Sequence, residues 1–185
     1  MKSVLYLIFI LSGLTLKAQD KSDIAVSQIE LLKKGGLLVG LKTGELQIKA
    51  LDKQAAQAYL KKVETENKTI IEAFRKNYHF SPVYFFYTSC SENITAKNLA
   101  PCMLNDQLQK DTTLTTLPQQ FLTAEFGFTD EQSIEGLIIM DDHFKQLREP
   151  FPFLIRRYSG IATKLTPAEM VIKLNKALTD FYARR

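Results

Sequence analysis

Five consecutive residues limit what this chain can fold into more than any other feature: Val83-Tyr84-Phe85-Phe86-Tyr87, entered through Ser81-Pro82 and left through Thr88, Ser89 and Cys90. In an extended strand alternate side chains point to opposite faces, so Tyr84 and Phe86 take one side and Val83, Phe85 and Tyr87 the other. Both sides are apolar. A strand covered from both directions belongs near the centre of a layered sheet, with helices expected on each face. Pro82 stands at the first strand position, where a missing N–H is tolerated.

The residues before this strand supply a partner for it. Asp23 to Lys34 carries Ile24, Ile29, Leu31 and Leu32 on a helical face and stops at Gly35-Gly36, which predicts a short helix. Leu37 to Leu41 is a brief glycine-bounded apolar run and reads as a buried strand, with Thr43 placed to cap the helix that follows. From Glu45 to Asn77 the apolar spacing is helical: Leu51, Ala55, Tyr59 and Val63, then Ile70, Phe74 and Tyr78 after the polar stretch Glu64 to Thr69. An unbroken helix of that length measures about 50 Å against roughly 30 Å for a small domain, so it must bend, break or protrude. The polar stretch is the expected exposed part and Asp52-Lys53-Gln54 an earlier break. Strand, helix and strand make a parallel βαβ unit of right-handed connection.

Strand signals dominate the second half: Met103 to Leu108 around Asn105-Asp106, Phe121 to Phe128, Gly136 to Met140, and Phe144 to Leu147 after a turn at Asp141-Asp142. Phe153 to Tyr158 suits an edge strand, because Pro150 and Pro152 would disrupt a central one. Thr166-Pro167-Ala168-Glu169 is a capping box with proline at the first helical position, and Met170, Leu174, Ala177 or Leu178, and Phe181 then share the docking face. The expected fold is α/β: one domain over residues 19–185, with a mixed β-sheet, an N-terminal parallel βαβ unit, a long crossover helix and a C-terminal docking helix.

Residues 1–18 fit a secretory signal peptide, with Lys2, an apolar run from Val4 to Leu16 and a small residue, Ala18, at the expected cut. The run is shorter than the roughly 20 residues of a membrane span. No membrane span is expected in the mature chain, and a periplasmic or secreted location follows. The leader holds two of the 24 basic residues and none of the 20 acidic ones, leaving 22 against 20. Bases interspersed with acids give no electrostatic footprint for nucleic acid, so none is expected as a partner.

Cys90 and Cys102 are the only cysteines in the sequence. Thioredoxin-like folds place a reactive cysteine after a central strand with its partner three residues on. Here that position is Asn93, so the similarity lacks its motif, and in an oxidising compartment a structural Cys90–Cys102 disulfide is the expected reading, with inert or redox-active thiols as alternatives. Asp141-Asp142-His143 after Leu137 to Met140 is a candidate general base or ligand group, although aspartates are also the ordinary chemistry of a tight turn. Glu125 lies between apolar residues; on the face of Phe121 it is partly buried and needs a cation, for which Arg156 or Arg157 is available. No ligand spacing for a metal and no G-x-S-x-G, Walker A or G-x-G-x-x-G pattern is present, so neither metal nor cofactor is expected. Should Gly136 to Met140 run parallel to the two earlier strands, Lys42, Thr43, Thr88, Ser89, Ser91 and Asp141 to His143 share one ligand-binding rim.

The segments Lys17 to Asp20, Asn77 to Tyr87, Ala124 to Gly127 and Arg148 to Pro152 together resemble an uncharacterised group of exported proteins from Bacteroidota. The resemblance implies a Gram-negative periplasmic setting and carries no assigned active residues. Two functions are therefore weighed. One is a non-catalytic domain that binds a protein, peptide or envelope component through the sheet rim or a protruding part of the long helix. The other is an enzyme, either a degenerate thioredoxin-like thiol protein using Cys90 or a hydrolase-like site using Asp141, Asp142, His143 and Glu125.

Overall fold

The structure, a computed structural model, describes residues 21–114, 116–159 and 163–185. The expected signal peptide lies outside the described residues. Helix α1 (21–34) ends at Gly35, where a Cβ would lie 1.9 Å from the carbonyl oxygen of Gln120, so only glycine lets the chain pass so close to the entry of a later strand. Strand β1 (Leu37–Leu41) follows, then α2 (Glu45–Ile48), α3 (Lys53–Asn77) and β2 (Val83–Tyr87). Beyond a single 3-10 turn (Thr88–Cys90) lie α4 (Ser91–Thr95), β3 (Met103–Leu104), β4 (Leu122–Phe128), β5 (Glu135–Met140) and β6 (Leu154–Arg156). A small hairpin, β7 (Tyr158–Ser159) with β8 (Thr163–Lys164), leads into α5 (Pro167–Ala183).

The long helical stretch breaks at Asp52, whose carboxylate caps α3 by accepting the Ala55 N–H at 2.8 Å. Thr43 does not cap α2. Its N-cap is Gly44 at φ 73°, a left-handed conformation that glycine adopts without strain. The protruding part of α3 also differs from expectation: no side chain before Val63 is buried, whereas Asn67, inside the polar stretch, is 3% exposed. Asn67 is held there because its amide receives the Lys42 N–H (3.3 Å) and donates to the Lys42 carbonyl (2.8 Å), tying α3 to the end of β1.

The sheet order is β3-β2-β1-β4-β5-β6. β1 pairs parallel with both β2 and β4, while β3, β5 and β6 are antiparallel to their neighbours. One face carries Leu37, Val39, Leu41, Phe85, Leu122, Ala124, Leu137 and Ile139 against α1, α3 and α5, with Ile29, Leu32, Phe74, Met170 and Leu174 all buried in the same core. The capping box forms as the sequence predicts, and α5 is tied to the α3–β2 connection by the Asn175 side chain, which accepts the His79 N–H at 2.8 Å.

The other face is covered differently. Leu38, Phe86, Met103 and Phe121 lie under Ile94, Leu99 and Cys102, which belong to the short α4 and the loop after it rather than to a helical layer. β2 is thus covered on both faces, by a layer of long helices on one and by the five-residue α4 and its loop on the other, and it lies second from the sheet end beside the two-residue β3. Phe144 to Leu147 is not a strand: only Gln146 bridges back, to Met140. No described helix is long and apolar enough to cross a membrane.

Candidate functional site

β5 delivers Asp141 into a reversal that begins where β1, β2 and β4 begin, because Thr123 near the start of β4 pairs with Met140 at the end of β5. The Asp141 carboxylate accepts the N–H groups of His143 and Lys145, each at 2.9 Å, and the Asp141 carbonyl accepts the Thr123 hydroxyl at 2.9 Å. That set of bonds makes the turn. Phe144 closes it at φ 60° and packs its ring on Phe86, with centroids 6.1 Å apart.

The turn holds the two following side chains in register. Asp142 Oδ1 lies 2.8 Å from His143 Nδ1, and Asp142 Oδ2 lies 3.2 Å from the Lys97 ammonium. Partial desolvation pushes the Asp142 carboxyl up, but the hydrogen bonds from His143 and Lys97 and the charge of Lys97 together outweigh it and hold the group below the usual aspartate range. A carboxylate bonded to Nδ1 selects the tautomer with its proton there, which leaves Nε2 as an acceptor at a ring that is 66% exposed. One potential ligand atom from each of Asp141, Asp142 and His143 lies within 4.8 Å of the others, so the same turn can hold a small cation. Sequence spacing conceals this set, since three adjacent residues converge only on a turn. Lys97 was invisible in the sequence altogether: it reaches Asp142 because the loop after α4 folds across the sheet, with Lys97 itself at φ 58°.

Glu125 is not part of this cluster. It projects from the face of Phe121, as alternation predicts, and is partly buried, but neither Arg156 nor Arg157 meets it. Arg157 instead lies 3.7 Å from Glu135, and its buried Nε has no hydrogen-bond partner among the described residues. Burial raises the Glu125 carboxyl; Lys42 opposes that shift and Asp130 adds to it.

Cys90 and Cys102 are joined in a disulfide with Cα atoms 6.0 Å apart. No described cysteine is free, so a reading that uses a Cys90 thiol lacks its nucleophile while the bridge stands. The single-rim expectation is overturned by the direction of β5. Lys42, Thr43 and Ser89 lie at the ends of β1 and β2, whereas β5 runs antiparallel to β4 and brings Asp141, Asp142 and His143 to the opposite edge. Ser91 is occupied locally, its hydroxyl donating to the Thr88 carbonyl at 2.5 Å.

A groove of about 880 Å³ is lined by neither Asp142 nor His143. It runs between the β4–β5 connection (129–134), the segment 145–153 and β6. No protein family, no curated protein and no solved structure matches this chain.

Proposed function

We propose that the Asp141–Asp142–His143 turn is a hydrolase-like site in which His143 acts as general base. The observation that carries this reading is the 2.8 Å contact between Asp142 and His143 Nδ1, with Lys97 fixing the far oxygen of the same carboxylate. In such a pair the carboxylate orients the ring and stabilises the imidazolium that forms when Nε2 takes a proton from an attacking water. The Lys97 ammonium, paired with the other oxygen at 3.2 Å, keeps the carboxylate ionised and in place behind the ring. Glu125 takes no role in this chemistry because it is not among the groups gathered at the turn. The test is hydrolysis of a panel of chromogenic carboxylic and phosphoric esters by the purified mature chain. Turnover above buffer that falls about 100-fold or more in His143→Ala, and clearly in Asp142→Asn, supports the site. Absence of turnover, or turnover unchanged in His143→Ala, rejects it.

The same proposal places the protein outside the cytoplasm. The setting is periplasmic or secreted, after cleavage near Ala18, in keeping with the resemblance to exported Bacteroidota proteins, and the disulfide supports an oxidising compartment. A second reading, a non-catalytic domain that binds a protein, peptide or envelope component, is favoured by the groove of about 880 Å³ beside β6.

A further inference from the structure

The two ends of the sheet are finished differently. At the β3 end the chain folds back on itself: Leu104 bridges to Lys110, the Asp111 N–H donates to the Met103 carbonyl, and the Asn105 N–H donates to the Gln109 carbonyl. At the β6 end the fold-back begins only beyond the strand, where the Leu165 N–H donates to the Arg157 carbonyl, and no described segment bridges to Leu154 or Arg156. The Ile139 N–H donates to the Phe153 carbonyl and the Arg157 N–H to the Glu135 carbonyl, which with the Leu137–Ile155 pair makes 153, 155 and 157 the positions of this segment that face β5. Leu154 and Arg156, between them, turn theirs outward, and among the described residues those groups have no backbone partner. An open edge of this kind is a template for another strand.

The groove borders that edge. Leu154 and Arg156 both line it, together with the half-buried Ile134 and Phe153, which offer apolar surface for a side chain. Its charged lining is balanced, with Lys145, Arg148 and Arg156 set against Asp130, Glu131 and Glu149, and Arg148 already paired with Glu131 at 2.8 Å. A balanced lining does not select a polyanion such as nucleic acid or an anionic lipid surface. Outward N–H and C=O groups repeating every second residue, beside an apolar recess, select an extended polypeptide.

We propose that the outer edge of β6 takes up an extended peptide segment of a partner protein, which adds as a further strand and places an apolar side chain in the groove. The proposal rests on the binding reading and uses none of Asp141, Asp142 and His143, which do not line the groove. Its test uses a phage-displayed library of random nine-residue peptides panned against the mature chain, followed by synthetic versions of the enriched sequences. Arg156→Pro deletes one outward N–H and leaves the inward ladder to β5 intact, a substitution that edge strands tolerate. Enriched peptides should bind with micromolar Kd and lose at least tenfold in Arg156→Pro but little in Arg156→Ala, and amide exchange at Leu154 and Arg156 in the unmodified chain should slow on binding. Exchange needs no variant and so stands even where the proline variant unfolds. Failure to enrich any sequence, binding that leaves these two amides unprotected, or a dimer of the chain itself that occupies the edge in sedimentation would overturn it. His143→Ala should leave peptide binding unchanged, so failure here and failure of the hydrolytic site are separate results.

Discussion

The two faces of one sheet are built by different means. The face under α1, α3 and α5 is a deep core in which Phe74, Leu32, Met170 and Leu174 are wholly buried. The face under α4 has a smaller core, and its cover is a five-residue helix, a loop, a disulfide and the side chain of Phe144. The first resists disorder through apolar area removed from water, the second through covalent and turn constraints on a cover too small to hold itself in place. The candidate chemistry borders the second kind of structure, through Phe144 and Lys97, whereas Leu147, Phe151 and Phe153 beside the groove pack with the first.

The sharpest way to break this contrast is to remove one large side chain from each face. Phe74→Ala should cost about 3–5 kcal/mol in urea unfolding, because three helices and a sheet cannot collapse into the space. Phe86→Ala should cost at least about 1 kcal/mol less, since its loop cover can settle. Equal losses would show that both faces are packed alike. Next in size is the disulfide: replacing Cys90 and Cys102 with serine, positions 12 apart in sequence, should cost about 2–3 kcal/mol. Amide exchange should then quicken at Ile94 and Leu99 while Ile71 and Phe74 stay protected, and uniform loss of protection would count against two separately held faces.

Asn67→Ala sharpens the description of the helical face, where one polar side chain joins α3 to β1. It should cost about 1–3 kcal/mol, because the Lys42 backbone N–H and carbonyl both lose their partner. The smallest effect belongs to Glu125 on the other face. Burial raises its folded-state pKa above the unfolded value, so the folded state binds the proton more tightly and this group lowers stability as pH rises through that interval. Glu125→Gln should therefore raise the urea midpoint at pH 7, and the gain should vanish as pH falls below the ordinary glutamate range. A gain that persists in acid would assign the effect to packing rather than charge.

Much of the helical face was legible in the sequence. Glycines bound β1 and Pro82 precedes β2, and both strands fall where that punctuation puts them; the same holds for the α5 capping box. Local chemistry decides such features. The other face was not legible to the same degree, because its cover depends on which strands become neighbours. Nothing local shows that β4 inserts beside β1, and that insertion fixes the direction of β5 and so the edge at which Asp141 to His143 emerges. The pairing of Lys97 with Asp142, and the failure of Arg156 and Arg157 to meet Glu125, have the same origin.

The position of β1 has a further consequence for assembly. It is the earliest strand in the chain, yet both of its flanks are filled by later segments, Leu37 pairing with Val83 on one side and with Leu122 on the other. The central ladder therefore cannot close until residues far downstream are present, which makes folding slow and leaves an apolar ribbon unprotected in the meantime. A chain built this way gains from a holdase that shields its early segment until β4 arrives.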